Sequence, residues 1–323
     1  MPENHARIAY DDSIMLMGSC FAEHIANRLS EGKFKCATNP FGVLYNPVSI
    51  AEALRQLAGG RRYDADAPEL LEHDGLWHSL MHHSSFSATT KEECLDRINN
   101  RLQESALLLK QARILFVTFG SAYVYRHKAT GLIVGNCHKF PEREFVRERL
   151  SPEEIVEDYT RLISELHHEN PTLHLVFTVS PIRHLRDGLH KNQVSKATLL
   201  LAIERIVELN PDCCTYFPAY ELMMDDLRDY RFYADDMMHP SPLAIEYIWS
   251  HFVDIFFSTS AKNIFQAWQE IRKGIDHRPF NPDSEKYKQF LTQLALRIDR
   301  FKEKYPTFDV ENELALCRTR LNK

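Results

Sequence analysis

Two short stretches carry side chains that could do covalent chemistry together: Gly18-Ser19-Cys20 and Asp235-Asp236-Met237-Met238-His239. A serine hydroxyl or a cysteine thiol becomes nucleophilic when a base removes its proton. Histidine does this near neutral pH, and a carboxylate beside the imidazole fixes its tautomer and steadies the imidazolium. Brought together, these groups would attack an acyl carbonyl and pass through an acyl-enzyme. Each also has a plainer role. Serine is a preferred helix cap, and aspartates in turns bond their own backbone.

The elements that must position them are legible. Ile14 to Met17 is a short apolar run that reads as a buried strand. From Ser19 the period changes: Phe21, Ala22, Ile25, Ala26 and Leu29 mark one face of a helix. Gly18-Ser19 therefore joins a strand end to a helix start, where unpaired N–H groups and the macrodipole favour negative charge. That geometry favours Ser19 over its neighbour Cys20 as nucleophile. At the other stretch, Ser241 caps a predicted helix with Pro242 at its first position. Asp236 and His239 are left on the loop before it.

The rest of the chain alternates strand and helix signals. Phe34 to Thr38 is a second strand ending at Asn39-Pro40-Phe41-Gly42, and Asn46-Pro47 opens a helix that stops at Gly59-Gly60. Residues 61–90 form an insertion dense in aromatics and histidines, expected to lie over the rim of the site with Trp77, His83 and Phe86 shaping a pocket. A helix follows from Lys91, then a core strand from Ile114 to Phe119 ending at Gly120-Ser121. Ala122 to Val134 reads as a hairpin, and Ser151-Pro152-Glu153-Glu154 as a capping box. Leu173 to Val179, closed by Ser180-Pro181, and Thr215 to Phe217 are the last strands, separated by a long helix. The fold class is α/β: a three-layer α/β/α sandwich around a mostly parallel sheet. Ser19, Asn39, Gly120 and Ser180 all follow strands and should converge on one rim. Residues 1–258 form this domain. Residues 259–323 read as a helical extension, with helices over 260–275, 284–304 and 308–321 that pack on the domain, pair with a second subunit in a homo-oligomer, or stay solvated.

Composition narrows the class. The formal charge of -6 offers no footprint for nucleic acid, and no run reaches the 18 apolar residues of a membrane span. Seven cysteines without a CxxC pair argue against a disulfide framework. With a start that lacks signal-peptide features, a cytoplasmic location is expected. Sixteen histidines supply metal-binding material, but neither HExxH nor Cys/His zinc spacing is present, and His167-His168-Glu169 lacks the register. No metal and no cofactor are expected.

Gly18-Ser19-Cys20-Phe21-Ala22 matches the motif that names the GSCFA family. The resemblance continues through Asn39-Pro40-Phe41-Gly42, Asn136-Cys137-His138-Lys139, Ser180-Pro181-Ile182-Arg183-His184 and Asp236-Met237-Met238-His239-Pro240. That family resembles the SGNH (GDSL-like) hydrolases, whose first block carries the serine and whose last carries Asp-x-x-His. The resemblance implies a Ser19–His239–Asp236 triad and selects Asp236 over Asp235. It implies a serine esterase acting on a small-molecule or glycan acyl ester. Acyl transfer to a carbohydrate-type alcohol, or a non-catalytic binding protein on the same fold, are the alternatives. SGNH hydrolases draw oxyanion donors from the serine N–H, a glycine N–H and an asparagine in a Gly-x-Asn-Asp block. Here the strand end reads Gly120-Ser121-Ala122-Tyr123, so the asparagine is missing. Ser19, Gly42 and Gly120 can offer backbone N–H groups, and Asn39 is the expected amide donor with Asn136 as runner-up. Ser121, His138, Arg183 and His184 complete the expected pocket, with Arg183 suited to a carboxylate or phosphate or else to a structural ion pair.

Overall fold

The computed structural model describes residues 6–321. In chain order the elements are β1 (Ile14–Gly18), α1 (Cys20–Glu31), β2 (Cys36–Thr38), α2 (Pro47–Ala58), β3 (Leu70–His73), β4 (Leu76–Ser79) and α3 (Lys91–Gln111). There follow β5 (Ile114–Phe119), β6 (Tyr123–His127), β7 (Ile133–Val134), β8 (Phe145–Arg149), α4 (Pro152–Glu169), β9 (His174–Val179) and α5 (Gly188–Leu209). The chain ends with β10 (Cys214–Tyr216), the one-turn α6 (Ala219–Glu221), α7 (Pro242–Phe256), α8 (Thr259–Asp276), α9 (Glu285–Lys304) and α10 (Glu311–Leu321).

The five-stranded sheet runs β10-β9-β5-β1-β2, and every neighbouring pair in it is parallel. β1, β5 and β9 are buried along their whole length, which is why they read as continuous apolar runs. Alternate residues feed opposite faces. Met15, Met17, Leu115, Val117, Leu175 and Phe177 pack with α2, α3, α4 and α5. Ile14, Leu16, Ile114, Phe116 and Val176 pack with α1 and α7. The result is the expected α/β/α sandwich.

Gly18 is required where β1 ends. Its φ is +131°, and a Cβ there would stand 2.1 Å from the Thr118 carbonyl oxygen on the adjacent strand. Only glycine lets β1 lie that close to β5 while turning the chain into α1. The caps read from sequence form: Asn46 caps α2, Ser151 closes a full capping box on α4, and Ser241 caps α7.

The insertion contains an antiparallel hairpin, β3–β4, turned at Asp74-Gly75 with both residues at positive φ. It docks on the loop after β2, where a Cβ on Gly42 would meet the His83 Cβ at 2.1 Å and His83 N–H donates to the Phe41 carbonyl. The expected hairpin after β5 is β6–β7, and β8 joins β6 on its other side to make a three-stranded antiparallel sheet.

Helices α8–α10 build a small core of their own around Trp268, Leu294, Ile298, Phe301 and Phe308. They rest on the sandwich at the end of α1: Trp268 Nε1 donates to the Glu31 carbonyl, and Lys33 pairs with Glu313 at 2.9 Å. The segment packs on the domain, one of the arrangements expected for it. Among the described residues no helix is long and apolar enough to cross a membrane.

Candidate active site

Ser19 is still extended (φ -69°, ψ 171°), continuing β1, and its N–H donates to the Thr118 carbonyl. Its Oγ accepts the Phe21 N–H at 3.3 Å, the bond of a helix N-cap, and the residue is only 1% exposed. Cys20 is the first residue of α1, rotated about 100° further round the helix. Its Sγ lies 4.0 Å from His239 Nε2. The side chain brought to the imidazole is therefore the thiol of Cys20, while the expected nucleophile, Ser19, caps the helix beside it.

His239 is set by its own loop. Asp236 Oδ1 accepts the backbone N–H groups of Met238 and His239, each at 2.9 Å, and Oδ2 meets His239 Nδ1 at 2.5 Å. Those two backbone bonds, then the imidazole, hold the Asp236 carboxyl down to about 2. A carboxylate on Nδ1 leaves Nε2 free to take a proton from the thiol. Arg183 N–H donates to the Met238 carbonyl, and Ser241 N–H to Phe232, which tie this loop to the exit of β9 and to the chain before it. Burial pushes the Cys20 thiol up and Glu23 adds to the push; the N–H groups of Cys20 and Phe21 and the Lys196 ammonium act against it.

Cys20 and His239 sit on the wall of a cleft of about 550 Å³ at the carboxyl ends of the strands. Ser19, His83, Ser121, Asn136, Arg183 and His184 line it, as do Tyr45, Tyr123, Tyr125 and Arg147, which had no distinguishing sequence signal. Three expected pocket residues lie elsewhere. Trp77 packs against the core below the insertion, with the Lys91 ammonium 4.5 Å from its ring. Phe86 borders a neighbouring depression with Asn39 and Gly42. His138 is buried, its Nε2 bonded to the Ser79 carbonyl, and burial pushes it down to about 4. It holds the insertion rather than facing the cleft.

The expected oxyanion donors are engaged in the fold. Ser19 N–H extends the β1–β5 ladder, Gly42 N–H donates to Asn39, and Gly120 N–H donates to Tyr45. Asn39, at φ +43°, accepts the Gly18 N–H with Oδ1 at 2.9 Å and turns its amide to Glu23. It buttresses the glycine turn from outside the cleft. Two other donors remain. Cys20 N–H, first in α1, meets only the sulfur of its own side chain. Asn136 uses Oδ1 to accept the His138 N–H, which leaves its amide N–H₂ on the cleft wall.

The cationic groups are mostly paired. Arg147 grips Asp187 with two bonds of 2.5 Å and stands 3.9 Å over the Tyr123 ring. Arg186 bonds Glu142 and the Tyr125 hydroxyl. Arg183 rests 4.1 Å over the Tyr233 ring and forms no structural ion pair among the described residues. Lys196, 1% exposed, lies behind the cleft and donates to the carbonyls of Gly120 and Ser180. It sits on the apolar face of α5 with Leu199 and Ile203, so a polar residue in that periodicity was its one sequence signal. Among the described residues no group of three or more His, Cys, Asp or Glu is placed to hold a metal ion.

None of the curated proteins compared with the chain matches it. A family model described as "GSCFA domain protein, C-terminal domain" matches residues 268–323, the helices that rest on α1. A second, described as "GSCFA family", matches residues 13–252, which hold the sheet, Cys20, Asp236 and His239: the chain belongs to the GSCFA family.

Proposed function

We propose that this protein is an acyl-transferring hydrolase with Cys20 as nucleophile, His239 as base and then acid, and Asp236 as the group that orients the imidazole. The observation that carries the reading is the continuous line from Asp236 Oδ2 through the His239 ring to Cys20 Sγ, at 2.5 Å and 4.0 Å. The thiol gives its proton to Nε2 and the sulfur attacks the acyl carbonyl carbon. The carbonyl re-forms as the bond to the alcohol oxygen breaks, and the imidazolium protonates that oxygen. Water then gives a proton to His239, attacks the thioester and releases the acid and the free thiol. An acceptor alcohol in place of water completes an acyl transfer. The cleft, walled by tyrosines and amides, suits a small or glycan ester, and acetyl is the smallest acyl group it would take.

A serine esterase is the second reading, favoured by Ser19 also touching the cleft. Turnover of short and long acyl esters, with and without sugar acceptors, separates them. Cys20→Ala should abolish turnover in a folded protein. Ser19→Ala should cost about 1 kcal/mol of stability through the lost cap and leave the chemistry. Full activity in Cys20→Ala together with a dead, folded Ser19→Ala would transfer the role to serine. A protein that turns over none of the esters and whose Cys20 takes no acyl group would instead be a binding module.

A further inference from the structure

The cleft is charged opposite to the chain that forms it. The protein carries a formal charge of -6, yet the arginine and acidic side chains on the cleft wall are Arg147, Arg183 and Arg186 against Asp187 alone. Arg147 and Asp187 cancel, locked together by two hydrogen bonds with both side chains mostly out of water. Arg186 reaches out to Glu142, whose side chain is 84% exposed, so that pair lies in water and holds little. Arg183 has no carboxylate partner among the described residues.

Arg183 is nevertheless fixed in place. Its backbone N–H donates to the carbonyl of Met238, next to His239, and its guanidinium carbon stands 4.1 Å from the centre of the Tyr233 ring. That ring belongs to the root of the loop that carries the base. Tyr233 bridges to Pro240, directly after His239, and the Ala234 N–H donates to the His239 carbonyl. A guanidinium holds five N–H groups in one plane, and an aromatic platform takes its face rather than those groups. The Tyr233 hydroxyl beside it can accept one of them, and no other acceptor meets them among the described residues. Planar donors fixed beside a base, with no acid to neutralise them, match an oxyanion that arrives with the substrate.

We propose that Arg183 is the specificity residue of the cleft, and that the ester taken there carries a carboxylate or phosphate, which the guanidinium binds away from the reacting carbonyl. The inference deepens the acyl-transfer reading and rests on it for the reaction, but the anion site does not depend on which side chain is the nucleophile. A cleft with surplus positive charge draws in such a substrate, and a fixed guanidinium holds two of its oxygens at once. The anion takes no part in the bond changes. It is therefore bound alike before and in the transition state, and its worth shows in KM.

Calorimetry reads the anion site without any turnover. Succinate should bind the wild type about 30-fold or more tighter than butyrate, or glycerol 3-phosphate than glycerol, the scale of one desolvated charge pair. Arg183→Met, which keeps an apolar stem over Tyr233, should erase that difference. Arg183→Gln should do the same and serves if the methionine variant does not fold. Turnover then sets the anion against the reaction, because Arg183 also borders a depression of about 160 Å³ walled by Met223, Met224 and Leu227. Ethyl hydrogen succinate against ethyl butyrate tests a carboxylate on the acyl part, and acetylglycerol phosphate against acetylglycerol tests a phosphate on the alcohol. In the favoured pair the variants should raise KM for the anionic ester about 30-fold and leave kcat and the neutral ester unchanged. A wild type that treats both members of each pair alike overturns the proposal. So does a variant that loses neutral and anionic esters equally, or a preference that vanishes in Arg186→Gln and survives in Arg183→Met. If the anions bind through Arg183 but no ester reacts, the acyl-transfer reading falls and the anion site stands.

Discussion

Cys20 Sγ faces His239 Nε2 at 4.0 Å, while the hydroxyl of the preceding residue, Ser19, is turned back onto the Phe21 N–H. The two residues differ by one step around a helix start, and that step turns the thiol toward the imidazole and the hydroxyl toward the helix. Asp236 stands behind the ring with one oxygen on Nδ1 and the other on two backbone N–H groups.

Asp236→Asn should lower kcat by roughly 10³–10⁴, the loss seen when the orienting carboxylate of such a triad becomes an amide. Its amide N–H₂ would face Nδ1, force the proton onto Nε2 and block acceptance from the thiol, while Oδ1 still holds the turn. Asp235→Asn should stay near wild type in the same assay. A larger loss in Asp235→Asn would reassign the carboxylate.

The two asparagines should separate cleanly. Asn39→Ala leaves the buried Gly18 N–H without its acceptor, so we expect a loss of about 1–3 kcal/mol in urea unfolding with kcat little changed. Asn136→Asp keeps the acceptor for the His138 N–H and replaces the donor facing the cleft with a negatively charged oxygen. If that amide meets the developing oxyanion, kcat falls by about 10²–10³ with KM nearly constant. The reverse pattern would restore Asn39 as the donor.

Gly18→Ala should cost at least about 1–3 kcal/mol, the scale of a side chain forced into a strained backbone conformation, with the clash at the Thr118 carbonyl added. Thermal unfolding against Gly131→Ala, at a glycine of positive φ with open space around it, isolates the packing part. Equal losses at the two positions would mean that β1 and β5 can separate there without penalty.

Stability should depend on pH through Lys196. Burial pushes it from 10.5 to about 7 in the folded chain. Between about pH 7 and 10.5 the unfolded chain therefore holds a proton that the folded one has released, and raising the pH through that window stabilises the fold. Urea midpoints of wild type minus Lys196→Met should rise across this range, other groups cancelling in the difference. Parallel curves would show that Lys196 does not titrate there.

The sequence by itself determined the sandwich, because β1, β5 and β9 are buried on both faces and so must be unbroken apolar runs. It also determined the caps at Asn46, Ser151 and Ser241, since a helix start is satisfied by residues within one turn of it. Asp236 and His239 were legible for the same local reason: three residues suffice for a carboxylate to hold an imidazole. Even the β3–β4 hairpin had its signal in Asp74-Gly75, which the aromatic density of the insertion obscured.

What only the tertiary structure decided are relations between distant segments. Ser19 or Cys20 could each be turned toward His239, which lies 219 residues beyond Cys20; which one is turned there depends on where the β1–β5 ladder stops and α1 begins to turn. Asn39 looked like a free amide after a strand, but the register of β2 beside β1 carries it to the Gly18 N–H. Lys196 was one polar letter on an apolar helix face until packing brought the Gly120 and Ser180 carbonyls to its ammonium. Backbone and side-chain propensities act over a turn or two of chain. Hydrogen bonds and charges act through space, and their partners exist only once the sheet has assembled.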